Sequence, residues 1–441
     1  MRLRLARACA LAPALALAAC SAPIRPPPPP APAPASPPAA ARPALAPTPP
    51  PAAASPVAEV SPWTRLRGRF AMEACTYRPE VQHFARHYAR SPRTFSASWK
   101  EAMPFLLLVL DEVERRDLPG EFALLPYLES NYRPLPGRGN GPAGMWQIVP
   151  STARAAGLAV GEAYDGRLDA LESTRAALDL IARYRREFAD WRLADMAFSS
   201  GEYRVRKLLG ERDARTLAAG ELASLAFAPG THEHLDRLLA LACIVEHPDR
   251  FGVTLPEPRP QDRLQAVVLQ GGMDLRLAAN LADLPLAQVR RWNAAWRRNR
   301  MAADFAPRLL LPETAVADFQ QAAASVPVPL WPDWREQVAG RTSRLASWSS
   351  ETGVPATVLA AANGLDPQET VLPATRLLLP GREPAAPPPT RRGDAPRSHV
   401  VVAGDTLSRI ARETGVPLRR LQQLNPGART LRIGQRVLLG E

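Results

Sequence analysis

Lysine is nearly missing from this chain. Lys100 and Lys207 are the only two, so 53 of the 55 basic residues are arginine, and they carry a net charge of +12. Such a balance suits nucleic acid, anionic lipid or an acidic polymer, and an Arg- and Ala-rich compositional bias explains it equally well. Charge therefore selects no function. Long apolar runs are also missing beyond the N-terminus. No later segment reaches the ~18 uninterrupted apolar residues of a membrane span. The run Phe105-Leu106-Leu107-Leu108-Val109-Leu110 stops at Asp111-Glu112 and predicts a buried helix face. Period-two alternation is scarce between residues 63 and 253, which excludes an all-β core there and predicts helices. Cysteine is scarce too, with four in 441 residues.

What is abundant is proline, 49 residues, and it is unevenly placed. Residues 22–57 hold 16 prolines among Ala and Ser. Such a segment buries no core and reads as a polyproline spacer, extending roughly 110 Å at ~3.1 Å per residue. Ahead of it, Arg2, Arg4 and Arg7 precede a short apolar stretch ending Leu17-Ala18-Ala19-Cys20. That is a signal-peptide pattern. The tetrapeptide resembles a bacterial lipobox, which implies lipidation of Cys20; an ordinary signal peptide is the alternative. Ser21 does not signal inner-membrane retention, so the expected address is the periplasmic side of the outer membrane, with the lipid as the only membrane contact. Cys9 would leave with the signal. Cys75 and Cys243 remain, in an oxidising compartment, either as a disulfide or as two buried thiols. Their Cα separation decides between the two.

Residues 102–116 carry apolar positions at helical spacing and are closed by Asp117-Leu118-Pro119-Gly120. Residues 121–130 read as a second helix, kinked at Pro126 or starting later because of it. Glu129 ends that apolar run. It is either an exposed helix-end carboxylate or an acid at the edge of a cleft. A glycine-rich stretch follows, with Gly137, Gly139, Gly141 and Gly144. Then Met145-Trp146-Gln147-Ile148-Val149-Pro150-Ser151-Thr152 reads as a strand-like turn into a helix begun near Ser151.

Leu128-Glu129-Ser130, the segment from Gly141 to Thr152, and Gly157-Leu158 together resemble the catalytic region of the lytic transglycosylases. The resemblance implies a mostly α protein, with a goose-lysozyme-like helical domain that cleaves peptidoglycan glycan strands. It assigns Glu129 as the single acid and base. One carboxylate suffices if no water is used. The resemblance implies that Glu129 protonates the oxygen between N-acetylmuramic acid and N-acetylglucosamine, then takes the proton of the C6 hydroxyl, which closes to a 1,6-anhydro end. Two-carboxylate hydrolases need the second group for water or for attack on the sugar. The same resemblance places Ser130, Gly144, Met145, Gln147, Phe198, Ser199, Gly201 and His234 along the sugar cleft.

Four cleft positions depart from the family. It usually has Ala-Tyr-Asn-Ser-Gly-Glu where this chain reads Ala197-Phe198-Ser199-Ser200-Gly201-Glu202. Phe198 lacks a hydroxyl, and Ser199 replaces an amide. Arg138 stands for a serine, setting a cation in the loop expected beside Glu129. His234 stands for a tyrosine and keeps the capacity to orient Glu129 by a hydrogen bond. These changes keep a second function class open, a non-catalytic peptidoglycan-binding lipoprotein scaffold. His232-Glu233-His234 does not suggest zinc, because a helical zinc pair needs spacing i, i+4. No metal and no cofactor is expected.

Beyond residue 260 the chain repeats itself. Arg308-Leu309-Leu310-Leu311-Pro312 recurs verbatim at 376–380 and loosely at 436–440, each 11 to 15 residues after Asn293, Asn363 or Asn425. A period near 60 residues means an array of small modules. The last copy reads strand, helix, helix, strand, and this βααβ order resembles LysM, an N-acetylglucosamine-binding module. There Gly404, Asp405, Thr406 and Asn425 are the expected sugar contacts. The first two copies are eroded, and the first reads as packing without sugar binding.

The expected organisation is a lipoprotein signal over 1–20, a Pro/Ala linker over 21–60, a catalytic domain over 61–255, small α+β modules over 262–315 and 335–381, a linker over 382–397 and a terminal module over 398–441. The expected partner is the peptidoglycan glycan strand, with no nucleic acid, and the chain is expected to be a monomer.

Overall fold

The structure is a computed structural model. It describes residues 60–381 except 211, 218 and 303–306, and residues 397–440 except 402–405, 415, 427, 429, 430 and 432–434. Cys20, Gly404 and Asp405 lie outside the described residues.

The first helices are α1 (Pro62–Arg67), α2 (Pro79–Ala89) and α3 (Pro92–Arg115), each with proline in its first turn. Proline there presets φ and its missing N–H costs nothing, because that donor has no intrahelical partner. The helix expected over 102–116 thus begins ten residues earlier. Its run from Ala102 to Leu110 is buried all round, as a helix apolar on every face must be. A 3₁₀ turn (Gly120–Ala123) leads into α4 (Leu125–Ser130), whose start is set by Pro126 in its first turn. Pro126 therefore starts this helix instead of kinking it.

Next come α5 (Pro150–Ala155), α6 (Ala170–Phe188), α7 (Trp191–Ser200), α8 (Glu202–Leu209), α9 (Ala219–Ala223) and α10 (Pro229–Glu246). Val149, not Ser151, occupies the N-cap of α5. Asp169 and Asp190 cap α6 and α7, each accepting two backbone N–H groups. Such a cap is worth about 1 kcal/mol. Cys75 and Cys243 form a disulfide, Cα–Cα 5.0 Å, which ties the segment before α2 to α10.

The repeats fold as βααβ units. In the first, β1 (Leu264–Val268) pairs antiparallel with β2 (Arg308–Pro312) around α11 (Leu275–Leu281) and α12 (Leu286–Trp292). After α13 (Glu313–Ala324), β3 (Trp334–Val338) pairs with β6 (Arg376–Pro380). Between them lie β4 (Ser343–Arg344), α14 (Leu345–Thr352), α15 (Ala356–Asn363) and β5 (Thr370–Val371), with β4 pairing β5. The last unit pairs β7 (Arg397–Val400) with β8 (Arg436–Gly440) around α16 (Leu407–Thr414) and α17 (Leu418–Leu424). The repeated Arg-Leu-Leu-Leu-Pro is the closing strand in the first two.

The recurrent asparagine has one job in all three copies. Asn293 donates to Val289 O and Leu310 O and accepts from Leu310 N. Asn363 does the same with Leu359 and Leu378, and Asn425 with Leu421 and Leu438. Its carboxamide staples the second helix to the closing strand, so the Asn425 side chain is occupied within the module and not turned toward a sugar.

The modules are not equally separate. Trp292 and Leu310 of the first belong to the core of the helical domain. The first and second share one apolar cluster, which includes Leu277, Trp334 and Leu359. The third has its own small core of Val401, Ile410, Leu421 and Val437. Among the described residues, no helix is long and apolar enough to cross a membrane.

Candidate active site

Glu129 sits on the last turn of α4, and three contacts hold that short helix. Tyr127 stacks on Trp99 of α3, ring centroids 4.1 Å apart at 12°. Its hydroxyl lies 2.6 Å from Ser98 Oγ. Asn131 and Tyr132 then both adopt left-handed backbone, φ 52° and 57°, which ends the helix abruptly. Tyr132 is fully buried and donates its hydroxyl to Ala123 O. The helix therefore stops with Glu129 at its rim, the side chain 18% exposed.

Ser130 faces inward. Its hydroxyl donates to Met145 O at 2.9 Å and accepts from Arg133 N. It pins α4 to the glycine-rich loop, which leaves it buried and occupied. In that loop Ala143 and Ile148 exchange backbone hydrogen bonds, so the strand-like turn is a tight bridge. Gly144 lies at φ +80°, and a Cβ there would come within 1.7 Å of Arg167 O. No other residue fits. Gln147 also has positive φ, 47°, and donates to Gly144 O at 2.7 Å. Trp146 is buried, donates to Thr174 Oγ1 and meets the edge of Phe198.

Beneath the loop lies an ion pair the sequence reading missed. Arg167 and Asp165 are buried against each other at 2.8 Å, and Arg167 also donates to Gly141 O and Ile148 O. The first module reaches this pair. Asp165 N donates to Ala295 O, Arg297 N donates to Ala163 O, and Tyr164 packs on Trp296 at 4.8 Å. Arg308 adds a 2.6 Å ion pair to Glu172.

His234 rises from the second turn of α10. Its Nε2 lies 3.0 Å from Glu129 Oε1 and its Nδ1 lies 3.1 Å from Asp195 Oδ2. The side chains of His234 and Asp195 are 14% and 0% exposed. Burial acts to keep the ring neutral. The charge and hydrogen bond of Asp195, then those of Glu129, more than reverse this, and the imidazole is pushed up to about 10. His232 turns elsewhere, to Leu225 O.

Arg138 is exposed, and among the described residues no ion pair joins it to Glu129. The basic side chain that contacts Glu129 is His234. Phe198 is half-buried, Ser199 is exposed, and Gly201 joins α7 to α8 at φ +90°. Asp195 escaped the sequence reading, although a carboxylate in the apolar run Leu193-Ala194-Asp195-Met196-Ala197 is the same kind of signal that singled out Glu129. In the last module Thr406 accepts from Arg409 N at 3.2 Å and caps α16.

The chain matches the Transglycosylase SLT domain family over residues 111–218, which holds Glu129, the glycine-rich loop, Asp165–Arg167 and Asp195. It matches the LysM-like domain of the lytic transglycosylase MltD over 263–328 and the LysM domain over 399–440. The protein is thus a lytic transglycosylase, built on an SLT domain followed by LysM-type modules. Among individual proteins it is similar to membrane-bound lytic murein transglycosylase D of Escherichia coli K12, with 28% identity over 351 residues, 77% of this chain and 76% of the relative. A putative tributyltin chloride resistance protein of an Alteromonas species is 37% identical over 109 residues, 24% of this chain and 53% of the relative.

Proposed function

We propose that this transglycosylase cleaves peptidoglycan strands between N-acetylmuramic acid and N-acetylglucosamine, with Glu129 as the only group that gives and takes the proton. The carrying observation is the placement of Glu129: a rim carboxylate within an SLT match, held on one oxygen by His234. In the first step Glu129, protonated, gives its proton to the glycosidic oxygen as the C1–O bond breaks. The substrate's acetamido group stabilises the cationic C1. In the second, the Glu129 carboxylate takes the C6 hydroxyl proton and O6 bonds C1, leaving a 1,6-anhydro end. The ring closure is intramolecular, so proximity supplies much of the rate. The neighbouring carboxylate, Asp195, is fully buried behind His234, which argues against a second acid that activates water.

The backbone of Gly144 and Met145, with Gln147, Phe198, Ser199 and Gly201, would line the saccharide groove. Ser130 supports this groove from below. Residues 61–255 would form the catalytic domain, with the boundaries read from the sequence for the modules. Residues 398–441 would bind N-acetylglucosamine chains through the loop at 404–406. Lipidation at Cys20 would anchor a monomer at the periplasmic face of the outer membrane. The signal-like N-terminus supports that address, as does a relative named membrane-bound.

The test is digestion of purified sacculi by the mature chain and by Glu129→Gln. Muropeptides with 1,6-anhydro ends from the wild type, and none from the variant, support the reading. Reducing-end products would show a hydrolase. No turnover with retained sacculus binding would favour a scaffold, the class that Phe198 and Ser199 keep open. In that case, restoring Tyr and Asn at those two positions should raise activity.

A further inference from the structure

Two carboxylates grip opposite nitrogens of one imidazole. Glu129 from α4 lies on Nε2 and Asp195 from α7 lies on Nδ1. A neutral imidazole donates through one nitrogen only, whereas the doubly protonated ring donates through both. With Asp195 ionised, and Oε1 of Glu129 free to accept whether or not Oε2 carries a proton, the observed arrangement is satisfied at both nitrogens only by the imidazolium. Asp195 has no exposure, and its Oδ1 has no hydrogen-bond partner among the described residues. Its charge is answered by His234. A buried carboxylate so placed is costly unless its counter-ion stays charged.

Of the other charged groups on elements packed against α10, His83, Arg86 and His87 of α2 are exposed, Asp190 of α7 pairs with Arg192, and Arg250, in the turn after α10, donates to Gln82. Glu233 pairs with Arg237, and Asp236 faces Arg78. Arg78 also pairs with Glu80 of α2. Glu121, from the 3₁₀ turn, accepts from the backbone of Ala71 and Met72. Arg67 of α1 donates to Val245 O. Among the described residues, the charged groups hydrogen-bonded to the His234 ring are Asp195 and Glu129.

We infer that Asp195 is a positioning residue for the cleavage: it holds His234 as an imidazolium against Oε1 of Glu129 and so reserves Oε2 for the substrate proton. The inference rests on the assignment of Glu129 made above. In the ground state the proton is on Oε2, and Oε1 accepts Nε2–H. As Oε2 gives its proton to the leaving oxygen, negative charge grows on Glu129 directly against the imidazolium. The donor is in place before the charge appears, which is when a fixed dipole or ion lowers a barrier most. Oε2 then takes the proton from O6 as O6 bonds C1. Glu129 ends as it began, the sugar has exchanged one C1–O bond for another, and His234 moves no proton. This gives a reason for a histidine at 234. A tyrosine hydroxyl would orient the same oxygen without charge and would need no buried partner.

The test uses the full mature chain. The Nδ1 and Nε2 nitrogen-15 signals of His234 are followed against pH in wild type and in Asp195→Asn. Wild type should hold both protons to about pH 9 or above, and Asp195→Asn should lose one near the ordinary histidine range of about 6.5. In kinetics on soluble muropeptides, Asp195→Asn should lower kcat at pH 8 by about tenfold to a hundredfold with KM little changed. Its alkaline limb should move toward neutrality. The same substitution made on His234→Tyr should cost much less, because the tyrosine draws nothing from Asp195. A wild-type ring that titrates near 6.5, an unshifted pH profile in Asp195→Asn, or equal losses on both backgrounds would overturn the inference. An active Glu129→Gln would instead overturn the assignment of Glu129. The ring titration needs no turnover and so separates the two failures.

Discussion

Replacing both Cys75 and Cys243 with alanine should lower stability sharply while leaving the cleft intact. The disulfide spans 168 positions of chain, from the segment before α2 to the last third of α10. Cross-linking so long a loop removes about 5 kcal/mol of conformational entropy from the unfolded chain. Alanine is the right replacement because Cys243 is fully buried, and a serine hydroxyl there would add its own desolvation cost. For a cooperative unit of about 190 residues this amounts to a fall in Tm of roughly 12 °C. The unfolded variant is also less compact, so its denaturant m-value should rise. Activity at 25 °C should persist, because His234 lies nine positions before Cys243 and the intervening turns are buried: Leu235, Leu238, Leu239 and Leu241 are all at 0% exposure. The assay is thermal and urea unfolding by circular dichroism for oxidised wild type, reduced wild type and the double variant, beside turnover at 25 °C. A Tm change under about 3 °C would show that loop entropy is not what the bond contributes. A matching loss of kcat at 25 °C would show that the disulfide positions α10 instead.

Gly144→Ala should cost about 3 kcal/mol or more, from its positive φ and from collision with Arg167 O, and should abolish digestion of sacculi; normal Tm and activity would refute the close approach. Deleting 398–441 should reduce co-sedimentation with insoluble peptidoglycan and leave turnover of soluble muropeptides nearly unchanged, whereas deleting 262–441 should lose soluble turnover as well, because Trp292 and Leu310 complete the core of the helical domain and the Asp165–Arg167 pair rests on Ala295. Equal effects of the two truncations would count against this. His234 is raised above its unfolded value of 6.5 to about 10, so its contribution to folding is full below pH 6.5 and is lost as pH rises toward 10. Urea unfolding at pH 7 and pH 10 should show wild type losing more stability over that interval than His234→Gln, and equal losses would refute it.

Much of this molecule was legible in its residues because the relevant signals are local. Helical spacing marked the run inside α3, and the repeated Arg-Leu-Leu-Leu-Pro marked the closing strands, whereas Pro126 read equally as a kink or as the start of α4. The motif from Leu128 to Thr152 was enough to single out Glu129 and the loop beside it. What the sequence left open depends on long-range proximity. Cys75 and Cys243 read equally well as a bond or as two thiols until their Cα separation of 5.0 Å was known. Asn425 looked like a sugar contact, yet its amide is spent on Leu421 and Leu438, because a helix packed on a strand edge must satisfy that strand's backbone. Arg138 looked like the charge beside Glu129 and is exposed instead. The cation there is His234, 105 positions away, held by Asp195, 39 positions before it. Periodicity describes one element at a time. Which carboxylate meets which imidazole follows from how α4, α7 and α10 pack, and only the tertiary structure decides that.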